Sequence, residues 1–353
     1  MLDRKESAQI EILRVFCIIS MMWVHVSPGL SLPSLIHEGR LEIVGDVLGQ
    51  TLGRISVTTL SFVSGYLLWI KGIHRPFLQL MRDRFTSVMV PMLFWSAVFI
   101  LLAARKETIT GEESSSINQI GATLPELFNS WSGLTGPTAN RSLFFLRDLF
   151  ISAAIVRMAS RPLQTYPVPV IAACGVLAAT GLGAPILFRP NVLLFMMLGA
   201  LAAHRGVSIS RLSRPEVALP LGFLLVGVGF LLPNTGTGRV AILGDFPDIV
   251  RRFGVGFLVL SLTASAVRVA SADRLARLGR NSFLAFLAHV PVIGFFWAFW
   301  TAFVGDEHQL SYLVFYVGSP AVVFLIALLV GRGLDHMPAL LQVLVRGKAV
   351  RRD

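Results

Sequence analysis

The sequence predicts an all-α integral membrane protein with about ten transmembrane helices and both termini cytoplasmic. Three observations carry that prediction: an apolar composition, ten apolar runs near spanning length, and a basic charge that alternates between connections. The 353 residues are 54% hydrophobic and only 14% charged, with a mean hydropathy of +0.70. Soluble globular domains carry nearer a quarter charged residues, so the composition excludes that class. The apolar runs fall at 9–28, 50–70, 86–103, 142–158, 166–181, 190–204, 216–233, 252–270, 281–302 and 311–331. The weakest is 166–181, which is short and holds Pro167, Pro169 and Gly175.

Numbered from the N-terminus, the segments placed inside are 1–8, 70–86, 157–163, 204–216, 268–280 and 332–353. They carry 20 of the 31 Lys and Arg, the opposite side carries 9, and Arg14 and Arg147 lie within runs. Basic connections stay cytoplasmic, and an odd number of spans would spoil the alternation. The net charge of +11 is therefore an inner-leaflet signature, and a nucleic-acid partner is not expected.

The chain reads as one transmembrane domain over 1–353. The first run follows a mixed-charge start (Asp3, Arg4, Lys5, Glu6), lacks a small-residue cleavage site and is long; it reads as a retained helix rather than a signal peptide. Cys17 and Cys174 both sit inside apolar runs, supporting neither a disulfide framework nor a metal site. The longest connection, extracytoplasmic 104–141, holds Glu107, Glu112, Glu113, Asn118, Trp131 and Asn140; it covers an acceptor site or is a solvated loop. Residues 71–84 alternate basic and apolar side chains and read as a short interfacial helix. The cytoplasmic tail at 332–353 ends in a basic juxtamembrane stretch from Arg346 to Asp353.

The first run carries the sharpest chemistry. Residues 10–26, IEILRVFCIISMMWVHV, place Glu11, Arg14 and His25 in a spanning helix. Ionisable side chains there are expensive and face a protein interior or wet cavity. Arg14 and His25 are eleven residues apart, so they share a face and stand roughly 16 Å apart along the axis. Arg14 is also three residues from Glu11, within easy pairing distance.

Several runs together resemble one family. Glu11, Arg14 and His25 resemble the first-helix signature of the acyltransferase-3 membrane proteins. SFVSGYLL (61–68, with Ser64 and Tyr66), RDRFTSVMVPMLFW (82–95), SLFFLRDLF (142–150) and GRNSFLAFLAHVPV (279–292) resemble four further elements, in order. The departures are Ser87 where a second arginine is usual, Phe144 for tryptophan, and Glu11 for aspartate.

The resemblance implies an O-acetyltransferase-like enzyme of the bacterial inner membrane. Acyl-CoA, chiefly acetyl-CoA, is the implied cytosolic donor, and a hydroxyl of an envelope saccharide the acceptor. Acyl transfer to an alcohol needs a base for the hydroxyl proton and help for the oxyanion. His25 is the candidate base; its alternative is interhelical hydrogen-bonding glue. Arg14 and Glu11 hold the donor, orient His25 or simply pair. Arg147 and Asp148, as sequence neighbours, point about 100° apart; each is expected to need a partner on another helix. His289 before Pro291, with Asn281 and Ser282, forms an inner polar cluster or packs helices. Ser64 beside Gly65 reads first as a close-packing point. Counted from the cytoplasm, Arg14, Ser64, Arg84 and His289 fall in the inner half, His25 and Arg147–Asp148 in the outer half. Arg84, with Lys71, Arg75 and Arg82, forms a vestibule for coenzyme A phosphates or simply follows positive-inside topology. His37, His74, His204, His308 and His336 lie in or beside loops. The rival class is a transporter or flippase, against which no inverted repeat is evident.

Overall fold

The computed structural model describes residues 4–26, 44–110, 122–136, 138–232, 246–269, 278–279, 281–306, 309 and 311–349. Glu112, Glu113, Asn118, His37 and His308 lie outside the described residues. All regular structure among the described residues is helical.

Each apolar run lies on a helix. In order these are α1 (Arg4–Val24), α2 (Arg54–Gly72) entered through a π-helical segment (Asp46–Gly53), α3 (Phe77–Arg84) and α4 (Val90–Thr110) joined by a second π-helical segment (Phe85–Met89), and α5 (Leu124–Ser132). They continue as α6 (Phe144–Met158), α7 (Ser160–Thr165), α8 (Pro167–Thr180), α9 (Pro190–His204), α10 (Ile209–Leu212), α11 (Pro215–Leu231) and α12 (Phe246–Val269). The last three are α13 (Ser282–Phe303), α14 (Ser311–Leu334) and α15 (Ala339–Arg346). Five helices among the described residues are long and apolar enough to cross a membrane: Arg4–Val24, Phe77–Thr108, Phe246–Val267, Ser282–Phe303 and Ser311–Leu334. Pro167–Thr180, Pro190–His204 and Pro215–Leu231 are apolar but shorter.

The packing follows from small residues at crossing points. A Cβ on Gly65 would overlap the Met196 carbonyl, and one on Gly199 the Phe62 carbonyl. The backbones of α2 and α9 therefore touch, as the sequence anticipates for the Ser64–Gly65 pair. Helix α1 runs between two apolar clusters. Ile10, Leu13 and Cys17 pack with Ile55, Val63, Phe257 and Leu260. Met21, Met22 and Val26 join the larger cluster that includes Phe62, Phe195 and Phe315.

Helices α1 and α13 lie side by side and run the same way. Glu11 packs against Gly279, just before α13, and His25 meets His289. His25 and His289, expected in different halves of the membrane, are thus neighbours, with ring centroids 5.1 Å apart.

The tail is more than a basic stretch. Helix α15 folds back against α4: Trp95 donates its indole N–H to the Val345 carbonyl at 3.0 Å. Arg346 is buried, bonded to Asp335 at 2.6 Å and to Gln342 at 2.5 Å. Gly347 ends the helix at φ +76° with its α-carbon against the Ser87 backbone; that conformation and that contact both favour glycine. The tail thus covers Ser87, where the second arginine of the family pattern is missing.

Candidate active site

His25 lies one residue past the end of α1, its backbone N–H donating to the Met22 carbonyl at 2.9 Å. Helix α14 steadies this last turn. Trp23 donates its indole N–H to the Val317 carbonyl at 3.4 Å, and the Tyr316 hydroxyl donates to the Trp23 carbonyl at 3.3 Å. Neither Trp23 nor Tyr316 was singled out from the sequence. Only Trp23, two residues before His25, carried a signal.

His289 is fully buried, and its ring centroid stands 5.1 Å from that of His25 with the planes inclined at 59°. Its Nδ1 lies 2.5 Å from the Phe286 carbonyl oxygen. A carbonyl only accepts, so Nδ1 carries the proton and Nε2 of the neutral ring keeps its lone pair. Among the described residues that Nε2 has no hydrogen-bond partner. Buried polar atoms are normally paired, so this orphan beside a second imidazole is a candidate functional group. The neighbouring Ser282 hydroxyl donates to the Gly279 carbonyl at 2.7 Å, and Asn281 packs against Gly331. Both polar groups near the start of α13 are used to seat it.

The middle of α1 is cationic. Arg14 pairs with Glu11 at 2.8 Å, both partly exposed. Arg84, at the end of α3, is half-buried and feels the charges of Arg14 and Arg75. Arg75 pairs with Asp83 at 3.0 Å, while Arg84 has no ion-pair partner among the described residues. Lys71 and Arg82 are exposed nearby in the chain. Arg84 opens directly onto the π-helical segment Phe85–Met89, an irregularity frequent at functional sites.

Arg147 and Asp148 depart from expectation. They pair with each other, Nη1 to Oδ1 at 2.8 Å, and both are buried. The long arginine stem reaches round the turn that separates the two Cβ atoms. Arg147 also donates to the carbonyls of Ile186 at 3.1 Å, Leu134 at 3.0 Å and Pro185 at 2.6 Å, and its guanidinium lies over Phe188. Asp148 accepts from the backbone N–H groups of Phe188 at 3.4 Å and Arg189 at 2.7 Å. The pair is the knot that ties two connections to α6, with its hydrogen-bonding capacity largely spent.

Tyr66 is placed at the base of α1. Its hydroxyl donates to buried Glu6 at 3.3 Å, and the same carboxylate oxygen accepts from the Ile209 N–H at 2.7 Å. Glu6 itself went unnoticed in the sequence because it sits in the charged N-terminal stretch. Ser64 is half-buried beside the α2–α9 contact. The structure therefore brings His25 to His289 and Arg14 to Glu11 and Arg84, while Tyr66, Ser282, Arg147 and Asp148 hold helices in place.

A family model described as an acyltransferase domain matches residues 7–332. The succinoglycan biosynthesis protein ExoH of Rhizobium meliloti (strain 1021) is 28% identical over 341 residues, 92% of this chain and 88% of that protein. No solved structure matches the chain. With a family match that runs from the start of α1 almost to the end of α14, the chain belongs to the acyltransferase-3 family and is a membrane acyltransferase.

Proposed function

We propose that this enzyme transfers an acyl group, chiefly acetyl, from cytosolic acyl-CoA to a hydroxyl of an envelope or exported saccharide. In this reading the protein sits in the bacterial inner membrane with ten spans and both termini cytoplasmic. The observation that carries it is the His25–His289 pair, with a bare buried imidazole nitrogen, at one end of α1, and Arg14, near Arg84, halfway along the same helix. The likeness to a protein named for succinoglycan biosynthesis supports a saccharide acceptor.

The roles divide by position. Arg84, with Arg14 and Arg75 close by, takes the phosphates of the donor through charge-assisted hydrogen bonds. The thioester arm then reaches along α1 toward His25. An imidazole nitrogen of the pair accepts the acceptor's hydroxyl proton as that oxygen attacks the thioester carbonyl. The carbon–sulfur bond breaks as the tetrahedral intermediate collapses. The imidazolium returns the proton to the departing thiolate, leaving an O-acyl saccharide and coenzyme A.

The test is mass spectrometry of surface glycans from cells lacking the gene, complemented with wild type or His25→Ala at equal membrane levels. A defined acyl mass restored only by wild type supports the reading. Full rescue by His25→Ala removes the base and brings a transporter or flippase forward.

A further inference from the structure

A second set of arginines surrounds the His25 end of α1. Gly53, which packs against Val24 and the Ser20 carbonyl, is followed directly by Arg54. Arg189 precedes α9, in the connection that Asp148 ties down. Arg251 and Arg252 stand in the first turns of α12, and both bond the same carboxylate, Asp248. Arg252 is mostly buried and feels the charges of Arg54 and Arg189. Arg251 lies over the Phe230 ring at 5.1 Å and Arg189 over Phe144 at 5.4 Å.

Among the described residues, Arg251 and Arg252 share one carboxylate, Asp248, and Arg54 and Arg189 add their positive charges beside Arg252. Arg54 and Arg189 are exposed and have no ion-pair partner there. A guanidinium does not shed its proton to relieve like-charge repulsion, and the low dielectric beside a bilayer strengthens that repulsion. An oxyanion removes it. The planar forks bind phosphate and carboxylate oxygens in pairs, and rings under Arg189 and Arg251 hold those two in place. Positive-inside topology does not account for the group, because Arg54 follows Gly53 at the Val24 end of α1, the end away from the basic N-terminal stretch.

We propose that Arg54, Arg189 and Arg252 bind an oxyanion carried by the saccharide acceptor, so that the enzyme selects anionic over neutral saccharides. This inference rests on the acyl-transfer reading and adds the chemical class of the acceptor.

The experiment uses the purified full-length protein in nanodiscs, with acetyl-CoA and three acceptors: a neutral oligosaccharide, the same chain ending in glucuronate, and the same chain bearing a phosphate monoester. The expected result is a kcat/KM at least about tenfold higher for one anionic acceptor, each charge-assisted bond being worth that much or more. The Arg54→Gln/Arg189→Gln double variant abolishes that preference through KM. Equal rates on all three acceptors, or a preference that survives the double variant, overturns the proposal.

Two further arms separate other outcomes. If phosphatidylglycerol in the discs alters the wild type alone, with no acceptor preference, the cluster is a lipid headgroup site and the proposal is overturned. If no saccharide is acylated, the acyl-transfer reading has lost its acceptor, and the melting temperature decides anion binding. A rise with the anionic oligosaccharides in wild type and not in the double variant upholds the cluster; no rise overturns it.

Discussion

The Nε2 atom of His289 is buried without a partner beside the ring of His25, 5.1 Å away between centroids. The Phe286 carbonyl holds the opposite nitrogen of His289 at 2.5 Å. One imidazole is thus locked in tautomer and orientation by its own helix. The other is held by a turn that Trp23 and Tyr316 brace. The proposed base catalysis needs a proton acceptor of fixed direction, and this pair, built from opposite ends of the chain, is the candidate for it.

His289→Ala is therefore expected to reduce acyl transfer by about 10²-fold or more, comparable with His25→Ala. Transfer from acetyl-CoA, measured alongside the melting temperature in detergent, separates chemistry from folding. Near-normal transfer by a well-folded His289→Ala protein would show that the pair is only packing.

Arg84→Ala is expected to raise the KM for acyl-CoA roughly tenfold with little change in kcat, the loss of about one charge-assisted bond. Initial rates against donor concentration read this directly. An unchanged KM sinks the phosphate vestibule.

Arg147→Ala leaves the buried Asp148 carboxylate without its ion-pair partner and three carbonyls without their donor. Breaking such a pair costs about 3–5 kcal/mol. The melting temperature and the membrane-inserted yield are both expected to fall. A stable but inactive Arg147→Ala protein would instead place this arginine at the substrate.

Gly199→Leu forces α9 away from the Phe62 carbonyl and opens the α2–α9 contact. Overpacking of this kind costs about 1–3 kcal/mol or more, read as a lower melting temperature. Gly294→Leu, where an added Cβ meets open space, serves as the control and leaves stability nearly unchanged.

In the connection between α4 and α6, α5 begins with a reciprocal cap: the Thr123 backbone N–H donates to Glu126 Oε2 at 2.8 Å, and the Thr123 hydroxyl reaches the same oxygen. Those bonds hold the Glu126 carboxyl below the usual carboxylate range. A depressed folded value stabilises the helix start above the unfolded value and loses that contribution as pH falls through the folded one. The protection factor at residues 124–127, the intrinsic exchange rate at each pH divided by the observed rate, is expected to fall in acid in wild type. Glu126→Gln removes most of that change; a protection factor that falls equally in the variant would rule out the cap as its cause.

The sequence by itself determined the helical class, the position of every apolar helix and the candidacy of His25, Arg14 and Glu11. Those features are local: hydropathy over a window, and residues three or eleven apart on one helix. The Glu11–Arg14 pair and the Gly65 contact were legible for the same reason. Tertiary structure decided the rest. Counted along their own runs His289 and His25 fall in different halves, yet the packing of α13 on α1 brings their rings to 5.1 Å. Arg147 and Asp148 were expected to seek separate partners from their Cβ directions alone; the flexible arginine stem and the carbonyls of a distant connection, Ile186 and Pro185, closed the pair instead. Arg251 and Arg252 beside Asp248, Arg54 at the start of α2 and Arg189 in the connection before α9 are far apart in the chain, so no spacing announces them. Which charges share a neighbourhood is set by how the helices cross, and crossing depends on small residues such as Gly65 and Gly199 meeting partners far away in sequence.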